Sequence, residues 1–136
     1  MSRPALIETR ADLERYIACF NAKDYTGQIA HYAPDVEYKV GTLTLTSPDA
    51  IAEFYRDFHG YCDEHVVLKL FARTDDTVGA VLTTSFEPFR TYRRHGLEFV
   101  EGERRDIVTL AFYRLKDGQI HRIRMGRYAG PASDFD

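Results

Sequence analysis

The spacing of apolar residues divides the chain into a helical first half and a strand-rich second half. Residues 8–22 carry apolar side chains at helical intervals, and a shorter apolar side follows over residues 25–33, where Pro34 is expected to end the helix. A third helical stripe runs from Ser47 to Gly60, with a proline in its first turn. The pattern therefore predicts three helices before the longer strands begin.

A period of two replaces the helical period at Val36, so that Val36, Tyr38 and Val40 share one face of a predicted strand. A short return strand follows the turn after Val40. Four longer strands are predicted over residues 65–73, 78–89, 105–115 and 119–128. Three helices on one face of such a sheet predict an α+β fold, a cone-shaped α+β barrel whose strongly curved, mostly antiparallel sheet encloses a pocket. Residues 129–136 are expected to form a C-terminal tail.

A length of 136 residues is close to the commonest size of one domain, so a single domain over residues 1–136 is expected. The net charge of −3 does not point to a polyanionic partner. The densest basic stretch, residues 90–105, is interrupted by glutamates, which predicts a solvated loop and argues against nucleic-acid binding. No apolar run approaches the roughly 18 residues of a membrane span, so no membrane partner is expected.

The chain has two cysteines, Cys19 and Cys62, and the N-terminal residues show no signal-peptide pattern. Two unpaired thiols are typical of a cytoplasmic protein, and this is the predicted location. Neither a zinc-binding spacing of His and Cys nor a glycine-rich phosphate loop is present. The sequence therefore predicts no metal site and no cofactor.

Three segments carry a resemblance to a known superfamily. They are "RYIACFNAKDYTGQIAHYAPDVEY" (15–38), "DAIAEFY" (49–55) and "FYRLKDGQIHRIRMGRY" (112–128). In this order and spacing the chain resembles the nuclear transport factor 2-like superfamily, and within it the SnoaL-like domains, over roughly residues 8–128. Scytalone dehydratase, ketosteroid isomerase and limonene epoxide hydrolase are relatives. The resemblance implies an α+β cone, a pocket for a small hydrophobic molecule, and a homodimer formed through the outer face of the sheet.

The ketosteroid isomerase pattern is only partly present. Tyr16 matches the tyrosine of that family's oxyanion hole, but Val40 occupies the position of its catalytic base. Because a valine cannot accept a proton, the resemblance argues against steroid-isomerase chemistry by these residues.

The other two enzymes overlap with different residues. Tyr38 matches a water-binding tyrosine of scytalone dehydratases, and His65 matches one of their two active-site histidines. Asp106 and Arg124 lie on the strands that carry part of the Asp–Arg–Asp arrangement of limonene epoxide hydrolases. Neither set is complete in this chain.

His65 is the leading candidate for an acid–base residue, because a neutral imidazole at a pocket mouth exchanges protons near pH 7. Glu87 or Asp106 would tune it, and both are further catalytic candidates. The alternatives are a hydrogen-bonded histidine at a strand start and rim carboxylates paired with arginines. The residues expected to contact the substrate are Tyr16, Tyr38, Val40, Phe54, Tyr55, Phe58 and Arg124.

These observations predict a small-molecule pocket protein, in one reading a cofactor-independent lyase, isomerase or cyclase that moves protons on a cyclic or polyketide-like substrate. Two alternatives stay open. The first is a pocket protein that binds an apolar ligand without catalysis. The second is a dimeric interaction module that uses the outer sheet face, to which Val67, Phe71 and Phe112 would contribute.

Overall fold

A computed structural model describes residues 4–136, so the first three residues of the predicted domain lie outside the described part. The helices are α1 (Arg10–Asn21), α2 (Tyr25–Ile29) and α3 (Pro48–Phe58), and a short 3₁₀ helix spans Ala132–Phe135. The strands are β1 (Tyr32–Val40), β2 (Leu43–Leu45), β3 (Cys62–Arg73), β4 (Thr77–Pro88), β5 (Tyr92–Arg94), β6 (Leu97–Phe99), β7 (Arg105–Lys116) and β8 (Gln119–Tyr128).

Side-chain caps define where the first and third helices begin. Thr9 accepts a hydrogen bond from the amide of Asp12, whose carboxylate in turn accepts from the Thr9 amide, forming a capping box at the start of α1. Ser47 caps α3 by accepting from the amide of Ala50, and Pro48 occupies the first turn, where its missing N–H costs nothing. Both helices therefore start where local chemistry predicts.

Six strands form one curved sheet in the order β2-β1-β8-β7-β4-β3, and β5 pairs with β6 separately. All neighbouring strands of the large sheet are antiparallel except β1 and β8, which are parallel. The three helices and this mostly antiparallel curved sheet confirm the predicted α+β cone. The sheet is not closed into a barrel, since β2 and β3 remain its edges.

The predicted boundary between α2 and β1 is wrong. The helix ends at Ile29, and Pro34 lies inside β1 rather than after a helix. The reason is tertiary: Tyr32 pairs with Ile120 of β8, and the amide of Ile120 donates to the His31 carbonyl at 2.8 Å. Pairing with β8 thus begins four residues before the alternation starts at Val36.

Residues 90–105 are not simply a solvated loop, because they contain the β5–β6 hairpin. Its two turn residues, His95 and Gly96, both have positive φ (56° and 74°), as a tight type I′ turn requires. Tyr92 and Phe99 are buried against an aromatic cluster around Phe58. The arginines remain at the surface, but the cross-strand pair of Tyr92 and Phe99 packs the hairpin against the rest of the fold.

The hairpin is attached to the turn between β1 and β2. The amide of Thr42 donates to the His95 carbonyl at 2.8 Å, and a Cβ on Gly41 would lie 2.1 Å from that oxygen. Glycine is therefore required at position 41, both for this close approach and for its φ of +55°.

The predicted C-terminal tail is ordered by contacts with the sheet. The Tyr128 hydroxyl donates to the Asp134 carboxylate, and its ring packs edge-on against Phe135. Lys69 of β3 forms an ion pair with Asp136. Within residues 4–136, no helix combines the length and apolar composition that a membrane span needs.

Candidate functional site

A cavity of about 310 Å³ lies between the helices and the concave face of the sheet, within the usual size range of ligand pockets. Its exposed lining residues lie at the ends of β1 and β8 and mark the mouth: Lys39, Gly41, Met125, Gly126 and Arg127. Its inner walls are mostly apolar. Their polar members are Tyr16, Tyr38, Tyr55, Glu64, Thr84, Thr109 and Tyr113.

A second chamber of about 240 Å³ adjoins the cavity. Its walls are largely aromatic and come from α3, β4 and the β5–β6 hairpin. Tyr38, Tyr55 and Glu64 line both spaces, so the two are adjacent parts of one candidate site. The residues that belong to the second chamber and not the first include Phe54, Phe58, Leu97, Phe99 and Arg105.

Glu64 is the only carboxyl side chain among the described residues that line the cavity. It lies on the inward face of β3 between the buried Cys62 and Val66, and its side chain is only 10% exposed. Burial raises the pKa of Glu64, although a hydrogen bond from His59 opposes the shift. A carboxyl group in such surroundings is a stronger base when ionised and holds its proton to higher pH.

His59 connects Glu64 to the edge of the fold. Its Nε2 lies 3.2 Å from Glu64 Oε1, and its Nδ1 lies 2.9 Å from the Tyr25 hydroxyl. When Glu64 is ionised, Tyr25 donates to Nδ1 and Nε2–H donates to the carboxylate. When Glu64 is protonated, the direction of donation reverses, so both protonation states of the carboxyl are hydrogen-bonded.

Two tyrosine pairs supply hydroxyl groups to the cavity. The hydroxyls of Tyr38 and Tyr55 are 2.8 Å apart, and those of Tyr16 and Tyr32 are 2.6 Å apart. One hydrogen bond uses one of the two hydrogens in a pair, so the Tyr38–Tyr55 pair keeps one O–H free to donate. Burial raises the pKa of both Tyr38 and Tyr55, so the hydroxyls stay neutral donors.

Tyr113 adds a further hydroxyl. Its side chain lines the cavity and makes no hydrogen bond to any residue within 4–136. Burial also raises the pKa of Tyr113. The cavity therefore presents one acid–base group and several neutral O–H donors on otherwise apolar walls.

Six of the predicted substrate contacts line this site. Tyr16, Tyr38, Val40 and Tyr55 line the main cavity, and Phe54 and Phe58 line the aromatic chamber. Contact with a substrate stays a prediction for all of them. Their inward-facing position follows from the apolar stripes of the helices and from the alternation in β1, and the sequence predicts both patterns.

The structure does not bring His65, Glu87 and Asp106 into the cavity. His65 follows the inward-facing Glu64 on β3, so it points to the outer face, opposite Ser85 of β4. Glu87 and Asp106 lie nearby on that face. Both carboxylates contact Arg104, at 2.7 Å and 3.2 Å.

The ion pair with Arg104 gives Asp106 a different character from Glu64. The hydrogen bond from Arg104 lowers the pKa of Asp106, with help from the Ser85 hydroxyl at 2.7 Å. An exposed, ionised carboxylate is a weak base at neutral pH. The three residues therefore lie outside the cavity, and the two carboxylates match the alternative of rim carboxylates paired with arginines.

Arg124 also points outward, where it forms an ion pair with Glu37 and lowers the pKa of that carboxyl. The arginine that reaches the cavity is Arg127, which shares the inward side of β8 with Ile123 and Met125. Register shifts in β8, opposite Arg114 and Leu115 of β7 and between its pairings with β1, precede this segment.

Glu64 is not among the residues predicted for the site, because the strand predicted from the sequence begins at His65. The signal was available: Cys62, Glu64, Val66 and Leu68 alternate, and the last two are apolar. Beginning the strand three residues earlier would have placed Glu64 inward and His65 outward. No group of three His, Cys, Asp or Glu side chains that could hold a metal ion occurs in the part of the chain described here.

A sequence model of the SnoaL-like domain matches residues 13–123. A proposed polyketide cyclase from Xanthomonas campestris pv. campestris is similar in structure at 23% identity, with a TM-score of 0.71, covering 83% of this chain and 84% of its own.

Two further solved structures extend the comparison. A proposed polyketide cyclase from Silicibacter sp. has 21% identity, a TM-score of 0.73 and coverage of 90% and 88% of the two chains. An LEH-like epoxide hydrolase from M. tuberculosis has 14% identity, a TM-score of 0.68 and coverage of 90% and 84%. No curated protein sequence matches the chain significantly. At these identities the structural likeness concerns the fold.

Proposed function

Because the chain belongs to the SnoaL-like domain family, we propose that it is a cofactor-independent enzyme that moves protons on a hydrophobic, cyclic or polyketide-like molecule. The reaction would be of the lyase, isomerase or cyclase type. The observation that carries this proposal is Glu64, a buried carboxyl with a raised pKa inside an apolar cavity. The names of the polyketide cyclases and the epoxide hydrolase among its structural relatives agree with small-molecule chemistry.

In the proposed mechanism, Glu64 acts as the general base and then as the acid. Its carboxylate removes a proton from a carbon next to a substrate carbonyl, and the electron pair moves onto the carbonyl oxygen. The free O–H of the Tyr38–Tyr55 pair donates to that developing oxyanion. The protonated Glu64 then returns the proton at another position, or gives it to a departing hydroxyl group that leaves as water.

The sequence-based candidate His65 has no part in this mechanism, since it lies on the outer face. His59 takes the role of partner to the carboxyl, at 3.2 Å from Glu64. Tyr16 and Tyr113 would orient the substrate by hydrogen bonds from their neutral hydroxyls.

A probe that needs only a base in an apolar site tests the proposal without knowledge of the natural substrate. In 5-nitrobenzisoxazole, removal of the ring C–H proton breaks the N–O bond and releases a coloured cyanophenolate. We expect the protein to accelerate this ring opening relative to acetate, with a rate that rises as pH passes the raised pKa of Glu64. Glu64→Gln should lower the rate by about 100-fold or more.

Two matched controls separate the cavity from the outer face. Glu87→Gln removes an exposed carboxylate that pairs with Arg104, and His65→Gln removes the outward imidazole. Both variants should keep the wild-type rate. Full activity in Glu64→Gln would refute the proposal, and absence of acceleration in a protein that still binds aromatic probes would favour the non-catalytic binder.

We also propose that the protein forms a homodimer through the outer face of the sheet. Val67 and Phe112 are 49% and 55% exposed there, and Leu70 is 39% exposed. Phe71, expected on this face, packs against the interior core instead, because a register shift between Leu68 and Leu70 reverses the alternation in β3. The free thiols of Cys19 and Cys62 support a location in the reducing cytoplasm.

A further inference from the structure

Basic side chains outnumber acidic ones among the residues that line the two chambers. Lys39 and Arg127 lie at the mouth of the cavity, and Arg105 joins Arg127 in the lining of the second chamber. Glu64 is the one carboxyl among the described residues that line the two chambers, and its burial favours the neutral form. An uncharged apolar ligand would leave this excess of positive charge unmatched.

Arg127 is the cation best placed to meet a ligand. It lines both chambers and lies opposite Thr109, whose side chain also faces the cavity. Arg127 makes no ion pair and no side-chain hydrogen bond with residues 4–136. Its neighbour Arg124 is held by Glu37, and Arg105 donates to the Glu98 carbonyl at 2.8 Å while lying over the Phe99 ring.

A guanidinium with all its donors free, at the mouth of an apolar cavity, matches the geometry of a carboxylate. Its planar fork can donate two parallel hydrogen bonds to the two carboxylate oxygens, which a lysine cannot do. The partly apolar surroundings strengthen such a pair relative to one in open solvent.

We propose that the ligand of this cavity is a hydrophobic carboxylic acid, an apolar ring system with one carboxylate that Arg127 binds at the mouth. This inference rests on the proposed function in taking the cavity as the substrate site, and it adds the class of substrate. The ring system occupies the main cavity and extends toward the aromatic chamber. The reacting carbon then lies deeper in the cavity, toward Glu64. The carboxylate of the ligand stays at the mouth, away from the carboxyl group of Glu64.

Binding measurements with a matched pair of probes test the inference. 2-Naphthoate and 2-naphthamide have the same ring system and differ in the charge of one group. By titration calorimetry, we expect the wild-type protein to bind the acid more tightly than the amide, with a preference that weakens as salt is raised. Arg127→Gln should weaken binding of the acid by about tenfold and leave the amide unchanged.

Arg114→Gln is the matched control, because Arg114 lies on the outer side of neighbouring β7 and likewise makes no ion pair or side-chain hydrogen bond with residues 4–136. It should bind both probes as the wild type does.

Equal binding of acid and amide by the wild type, or an unchanged preference in Arg127→Gln, would overturn the inference alone. Failure of the protein to bind either probe at millimolar concentration would overturn it together with the cavity as ligand site. Absence of accelerated ring opening by the wild-type protein, with a retained preference for the acid, would refute only the proposed function.

Discussion

At the scale of single residues, one step along β3 separates the two candidates for acid–base chemistry. Glu64 lies in the cavity with a raised pKa, whereas His65 faces solvent on the other side of the sheet. A residue's chemical type suggested His65, because imidazole titrates near neutrality without help. Glu64 depends on burial to raise its pKa above the ordinary value. Burial is decided by where a residue lies in the fold and not by its chemical type.

The buried carboxyl should make stability depend on pH. Because the pKa of Glu64 is raised in the folded protein above its ordinary 4.5, its contribution to stability is full below pH 4.5 and is lost as pH rises through the folded-state pKa. We therefore expect Glu64→Gln to be more stable than the wild type at pH 7, with a difference that shrinks toward pH 4. Urea denaturation across that range measures it, and a gap that does not vary with pH would contradict the assignment.

At the scale of elements, local signals determine some helix and strand boundaries and long-range strand pairing determines others. The starts of α1 and α3 follow from a capping box and a serine–proline start, which operate within a few residues. The end of α2 and the start of β1 follow from pairing with β8, about 90 residues away in sequence. The β5–β6 hairpin is not predicted from the sequence, because its strands are short and charged residues outnumber the buried pair of Tyr92 and Phe99.

The capping box provides a test at this scale. Thr9→Ala removes the hydroxyl that accepts from the Asp12 amide and should destabilise the protein by about 1 kcal/mol. Hydrogen bonds, first among them that from the Glu8 amide, lower the pKa of Asp12 to about 2. The carboxylate's contribution should therefore be full above its ordinary pKa of 3.8 and be lost as pH falls toward 2.

Denaturant unfolding at pH 7 measures the effect of Thr9→Ala. Thr26→Ala is the control, since Thr26 is exposed in α2 and its hydroxyl bonds to no residue in the described range. It should change the free energy of unfolding by less than about 0.5 kcal/mol. An equal loss in both variants would mean that the cap adds nothing.

At the scale of the whole molecule, the inner and outer faces of one sheet differ in chemical character. The concave face holds the apolar cavity with its acid–base group, and the convex face carries exposed apolar side chains on β3 and β7 next to charged ones. An exposed apolar patch of this kind is typical of a protein interface.

The proposed dimer is tested by placing a charge in this patch. Phe112→Glu should convert a dimer to a monomer, because a carboxylate buried in an apolar interface without a partner is strongly unfavourable. Phe89→Glu is the control, since Phe89 is similarly exposed at 45% but lies beyond the end of β4. Multi-angle light scattering measures the mass, and a wild-type monomer at all concentrations would exclude the dimer.

The sequence alone predicts those features of the fold and the site that depend on interactions between residues close together in the chain. Periodicity and capping determined the order of helices and long strands, the α+β cone, and the inward position of Tyr16, Tyr38 and Tyr55, since these are local patterns repeated along each element. The alternation of Cys62, Val66 and Leu68 also indicates that Glu64 faces inward, but tertiary structure decided that it is buried in a cavity and which arginine reaches that cavity. A strand's facing depends on where its pairing starts and where its register shifts, and those are set by neighbouring strands. Only the packed sheet therefore buries Glu64 and brings Arg127 to the cavity.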